Sequence, residues 1–362
     1  MDVICGSGGA VIGPQCDKLS FLSRRSAFFQ KFDDEQLLDL RLCDLGLRLE
    51  RTPVEPLVRR LYDELETRGI RHKPHVWLSS EWFSPDGVPG IAVPFYLAHP
   101  RLRKLEQKQM FRVEGGSDAE CMRILRHEAG HAICTAYRLH RRKSWRDTFG
   151  KFTQKYPDHY KPQPNSRNYV MHLDAWYAQA HPAEDFAETF AVWLSPRSRW
   201  RKVYRDWYGA LEKLEYVDAV MREIAGCSAP CRTRVQIDPL KDLRTTLKRH
   251  YKKKRAHYAV EWDDYYDRDL ARLFSSERRH QERPTAASFL RSYRRELRER
   301  IAEWTGAHPY TVNQVLQDLI DRCREKKLRV AMPLPEARRE VWILVTMHTM
   351  NCLHWTHREI PL

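Results

Sequence analysis

Apolar positions recur at helical spacing along most of the chain. Between residues 34 and 69 they fall at Leu37, Leu38, Leu40, Leu42, Leu45 and Leu47, and a second helix is predicted from about Pro53 through Leu65. Pro53 suits a first helical turn and Gly69 a stop. After Pro74 the pattern changes. Val76-Trp77-Leu78-Ser79 and the run from Ile91 to Leu97 are short, aromatic and β-branched, and Ser84-Pro85-Asp86-Gly87 between them is a turn signal. A pair of strands is therefore expected, with Pro94 pushing the second towards a sheet edge. Ser117-Asp118-Ala119-Glu120 has the spacing of a capping box and opens a helix through about Arg141. Residues 142–168 are basic, hold three prolines and read as loop. A strong helix begins at His181-Pro182 and runs to Leu194, stopped by Ser195-Pro196, and from about residue 200 the pattern is helical and charged. No internal repeat or low-complexity tract interrupts it, and residues 1–20 are glycine-rich and read as loose.

Composition narrows the class. The chain has 362 residues, 11 Trp, 16 Tyr and 13 Phe, which favours packed domains over a disordered basic tail. Lys and Arg number 63 against 48 Asp and Glu, a formal charge of +15, and residues 241–300 carry 18 basic and 10 acidic side chains of that total. Such an excess concerns solubility and anionic partners rather than fold. No apolar window is long enough to span a membrane, because His348, Asn351 and His354 interrupt the best one, Val341 to Trp355. The N-terminus lacks a basic segment followed by an apolar core, and nine scattered cysteines fit reduced thiols, so a cytoplasmic protein is expected. Cys227 and Cys231 form one C-x-x-x-C without a second pair to complete a zinc ribbon.

The chemistry lies in His127-Glu128-Ala129-Gly130-His131, an HExxH motif. On a helix, positions i and i+4 face the same way, so both imidazoles can reach one zinc ion, with Glu128 beside them to take a proton from water. The surrounding Ile124, Leu125, Ala129, Ala132, Ile133 and Ala136 are apolar, and a buried His-Glu-His cluster must be paired or bound. Gly130 costs about 1 kcal/mol of helix propensity, which points to close packing. Catalytic zinc takes three protein ligands and keeps a position for water. The 182–194 helix offers the third: Phe186, Phe190 and Trp193 make a buried stripe, while Glu184 and Glu188 stack i, i+4 on another face. Two acids so close repel unless a cation lies near one of them. The division that answers this gives Glu184 to the metal and Glu188 to the ring N–H of a ligand histidine. Asp185 is the neighbouring alternative for the third ligand.

The string RHEAGH, followed by HPAEDFAETFAVWL with 52 residues between His131 and Glu184, resembles bacterial zinc-binding metallopeptidases of the gluzincin type. It is similar, more distantly, to the catalytic domain of anthrax lethal factor. The resemblance covers about residues 74–215 and implies an α+β, zincin-like core: a small mixed sheet with the active-site helices. It implies one Zn2+ ion, a peptide or protein substrate, and Glu184 as third ligand. It also implies Tyr177, seven residues before Glu184, as the phenol that stabilises the oxyanion; a core aromatic beside Trp176 is the other reading of that residue. Only Cys5 and Cys16 occupy the region where relatives carry a cysteine-rich segment, so a second metal is not expected. The expected division is a helical segment 1–73, the metallopeptidase domain 74–215, and a basic, mostly helical region 216–362.

In that last region, residues 301–316 have helix-turn-helix spacing at Ala302, Gly306, Val312 and Val315, and Arg291, Arg294, Arg295, Arg298, Arg300, Lys326 and Lys327 flank it. The alternative function is therefore a nucleic-acid-associated or scaffolding protein whose zinc site lacks turnover. Helices packed on the protease domain with solvated basic faces are favoured over it. The Lys252–Arg255 run is likewise expected to be a solvated face, neutralised by Asp263, Asp264, Asp267 and Asp269.

Overall fold

A computed structural model describes residues 28–157, 159–160, 162–163, 166–258, 266–355 and 360–361. The glycine-rich start with Cys5 and Cys16, and Asp263 and Asp264, lie outside the described residues. The fold is largely helical, with three two-stranded sheets among the described residues.

Asp33 caps the first helix, α1 (Asp34–Asp39), by accepting from the Gln36 N–H while the Gln36 side chain returns the bond. A 3-10 turn over Leu42–Leu45 follows, and then α2 (Glu55–Thr67), which buries Leu57, Val58, Leu61 and Leu65. The predicted strand pair exists as β1 (His75–Ser79) and β2 (Gly90–Pro94), but the two run parallel, His75 opposite Gly90 and Ser79 opposite Pro94. The turn signal at 84–87 therefore belongs to a crossing loop and not to a hairpin. The second strand also stops at Pro94, and Phe95–Ala98 coil into a 3-10 turn. One edge of β2 faces β1; on the other, Ala92 exchanges backbone hydrogen bonds with Phe83. At that position the edge is already paired.

Helix α3 (Pro100–Met110) leads to α4 (Asp118–Ala136). Ser117 accepts from the Glu120 N–H, one half of the expected capping box. Helix α4 ends at Ala136, five residues before the predicted stop, because Arg138 takes a left-handed conformation (φ 53°) ahead of a 3-10 turn over Leu139–Arg141. The expected loop holds one helical stretch, α5 (Lys143–Phe149), which buries Trp145 and Phe149. Next come β3 (His159–Tyr160), α6 (Pro182–Leu194), the single turn α7 (Trp200–Val203) and α8 (Tyr208–Ile224). One apolar core runs from Phe29 to Tyr251 and joins α2, β1, β2, α4, α6 and α8.

The C-terminal helices are α9 (Leu247–Tyr258), α10 (Asp267–Leu273), α11 (Ala286–Thr305), α12 (Pro309–Glu325) and α13 (Leu334–Trp355), with β4 (Phe274–Ser275) paired to β5 (Arg329–Val330) and β6 (Ile360–Pro361) paired to β3. A second core, from Tyr266 to Cys352, forms among α10 to α13. Gly306, in the left-handed region (φ 73°), ends α11 and lets α12 fold back on it. A recognition helix presents its N-terminal residues to base edges. Here Val312 and Val315 are buried as that spacing requires, but Thr311 and Asn313 are buried too, which takes two early α12 side chains away from any base edge. In the Lys252–Arg255 run, Lys252 and Lys253 are exposed as expected, but the mostly buried Lys254 sits 3.0 Å from both Glu81 and Glu106, and Asp267 pairs instead with Arg322 and Lys326. Among the described residues, no helix is long and apolar enough to cross a membrane.

Candidate metal centre

Two helices build the site. Almost every residue of α4 from Cys121 onward is buried, as is α6 from Ala183 to Leu194. Helix α6 starts where it does because His181 caps it, its Nδ1 accepting the Ala183 N–H at 3.1 Å, with Pro182 in the first turn. The two helices cross where Gly130 meets Ala187. A Cβ built on Gly130 would lie 2.8 Å from the Ala187 Cα, so only glycine permits this approach. On either side of that crossing, His127 and His131 from α4 confront Glu184 and Glu188 from α6.

The facing atoms form a nearly equilateral triangle. His127 Nε2 lies 3.1 Å from Glu184 Oε2, His131 Nε2 lies 3.2 Å from the same oxygen, and the two Nε2 atoms are 3.2 Å apart. In a tetrahedral zinc site with bonds of about 2.0–2.1 Å, neighbouring ligand atoms stand roughly 3.3–3.4 Å apart. The donor set of two imidazoles and a carboxylate therefore fits one metal ion, and among the described residues this is the one cluster of three such groups. Residues 121–206 match a protein family described as "Putative zinc-binding metallo-peptidase". No curated protein and no solved structure gives a significant match. The matched stretch contains the whole triangle together with Glu128 and Glu188, so the similarity to zinc-binding metallopeptidases and the zincin-type cluster coincide.

Around the triangle, the partners of Glu188, and the lack of one at Glu128, each have a clear consequence. Glu188 accepts from His127 Nδ1 at 2.7 Å, and its other oxygen accepts the Leu173 N–H at 2.7 Å. This bond turns the His127 Nε2 lone pair towards the triangle. Burial opposes a charge on His127, but Glu184 and Glu188 outweigh it and hold the imidazole well above its usual range, so the pocket favours positive charge. Glu128 is buried, and burial pushes its carboxyl up despite the neighbouring histidines. Its Oε2 has no hydrogen-bond partner, which leaves an acceptor for a water or a substrate.

Tyr177 lies half-buried with its ring centroid 5.6 Å from that of His127. Burial first, then the charges of Glu184 and Glu128, push its phenol well up, so it stays protonated and able to donate. Asp185, the alternative ligand, points away: Lys213 holds it at 2.6 Å. Asp174 is exposed beside Arg112 and Arg123. Cys227 and Cys231 are free thiols outside any metal-ligand cluster among the described residues.

Two partners escaped sequence reasoning. The Tyr156 hydroxyl donates to Glu184 Oε1 at 2.8 Å, and the Leu173 backbone completes Glu188. Both come from irregular segments, where no periodicity marks a residue as inward.

Proposed function

We propose that the chain is a zinc-dependent metallopeptidase of the gluzincin type, similar in its HExxH and HPAEDFAE helices to the catalytic domain of anthrax lethal factor. The observation that carries this reading is the His127, His131 and Glu184 triangle, with the unpartnered Glu128 Oε2 on the same helix as the two histidines.

A zinc ion held by these three side chains would supply Lewis acidity and lower the pKa of a bound water. Glu128 takes the proton of the attacking water and delivers it to the leaving amine; its raised pKa suits a group that must carry a proton between the two steps. Tyr177 donates its hydroxyl to the oxygen on which negative charge develops. Glu188 keeps His127 in the tautomer whose Nε2 faces the site. The substrate is a peptide or protein, acted on by residues 74–215, with 1–73 and 216–362 as helical flanks and the cytoplasm as location.

Metal analysis and Glu128→Gln test the reading together. The reconstituted protein is expected to hold one zinc, and the variant to keep that zinc while peptide hydrolysis falls about 10²–10⁴-fold. Absence of stoichiometric zinc after reconstitution sinks the proposal.

A further inference from the structure

Glu184 offers two oxygens, and they face different partners. Oε2 belongs to the triangle, at 3.1 Å and 3.2 Å from the two histidines, whereas Oε1 accepts the Tyr156 hydroxyl at 2.8 Å. From this juxtaposition we infer that Tyr156 is a positioning residue that holds Glu184 as a one-oxygen metal ligand. The inference rests on the metallopeptidase reading above.

Tyr156 is itself fixed by the start of α6. Its ring stacks on His181 with centroids 3.8 Å apart and planes inclined by 15°. His181 is held on both nitrogens, Nδ1 by the Ala183 N–H at 3.1 Å and Nε2 by the Gln154 carbonyl at 2.9 Å. The stretch that carries Tyr156 reaches this place because Gly150 (φ 108°) lies against Pro182, the first residue of α6. A tyrosine on an irregular and partly exposed segment is thus registered to the same helix that carries its acceptor. The hydroxyl donates to Glu184, which sets Tyr156 apart from Tyr177, whose ring lies against His127.

The consequence is a coordination number. A carboxylate that turns both oxygens to a metal takes two positions and crowds the one a water needs. A donor on the second oxygen keeps the carboxylate to one bond, and partners of ligating carboxylates are worth about 10–100-fold in metal affinity or activity. Tyr156 therefore preserves the open corner of the site without touching substrate.

The test uses the full chain, with zinc affinity measured by competition against a chromophoric chelator and geometry by the visible spectrum after cobalt substitution. Tyr156→Phe keeps the ring on His181 and removes only the hydroxyl. Its zinc Kd is expected to rise about tenfold, and its cobalt bands to weaken from four-coordinate towards five-coordinate intensity, with the melting of the metal-free chain unchanged. Tyr156→Ala is expected to lose at least as much affinity. Wild-type affinity and spectrum in the Phe variant, with a defect only in Tyr156→Ala, would assign Tyr156 to ring packing and overturn the inference. A wild-type chain that takes up no zinc overturns the metallopeptidase reading first, and is seen before any variant is compared.

Discussion

Glu188 holds His127 by an Nδ1 hydrogen bond of 2.7 Å while its other oxygen takes the Leu173 backbone N–H at the same distance. One carboxylate thereby sets the tautomer of a candidate ligand and ties the segment before Tyr177 to α6. Glu188→Ala is expected to weaken zinc binding about 10–100-fold, read by chelator competition. Glu188→Gln keeps an acceptor oxygen and is expected to fall between Ala and wild type. Equal affinity in all three proteins would show that His127 is oriented by packing alone.

Gly130 sits where α4 and α6 touch. Alanine there gains about 1 kcal/mol of helix propensity. It also meets the Ala187 Cα at 2.8 Å, a contact that requires the helices to part. Overpacking of this kind costs about 1–3 kcal/mol, so Gly130→Ala is expected to lower the unfolding midpoint and to loosen zinc binding as well. The nearest atom is main-chain carbon, so adding Ala187→Gly is not expected to rescue the variant. A double variant with wild-type stability would contradict this account of the crossing.

The proximity of His127, His131, Glu184 and Glu188 was legible in the sequence because each pair repeats at i, i+4, and a helix turns that spacing into one face. The buried stripe of Phe186, Phe190 and Trp193 was legible for the same reason, though all sides of α6 proved buried. What stayed hidden depends on partners far along the chain. Lys254 looks like one member of a solvated basic run, yet its acceptors are Glu81 and Glu106, and no local pattern links them. The parallel pairing of β1 and β2 was hidden because a Pro-Asp-Gly turn also fits a crossing loop. Tyr156 was invisible because loop residues have no period to betray which way they point.

Arg126 and Glu64 join α4 to α2 through two parallel bonds of 2.7 Å, with both side chains more than nine-tenths buried. Arg126→Ala strands the Glu64 carboxylate in the core, with only the outer Arg60 near it at 3.2 Å. Breaking such a pair costs about 3–5 kcal/mol, whereas replacing both partners by apolar residues is often close to neutral. Denaturant titration should therefore rank Arg126→Ala below the double variant Arg126→Met, Glu64→Leu. The reverse order would mean that the pair itself, and not the stranded charge, governs stability.

Acid sensitivity is expected to come from two histidines that join the C-terminal helices to the rest of the fold. His250 is buried against Phe95 and Tyr251, and burial, then Lys254 and Lys253, push it down to about 3; Glu81, with Oε1 3.7 Å away, does not reverse this. His308 stacks on Tyr258 and caps α12 through the Tyr310 N–H, and burial, then Arg112, Lys254 and His257, push it to about 3. Both are neutral in the fold and gain a proton near the ordinary histidine value of 6.5 once unfolded. Between about 6.5 and about 3 the unfolded chain therefore binds more protons, so stability rises with pH through that window and is complete above it. Denaturant midpoints are expected to fall as pH drops from about 8 to about 5. His250→Gln combined with His308→Asn, which keeps a capping oxygen, should flatten that fall. A double variant with the wild-type slope would place the acid sensitivity elsewhere.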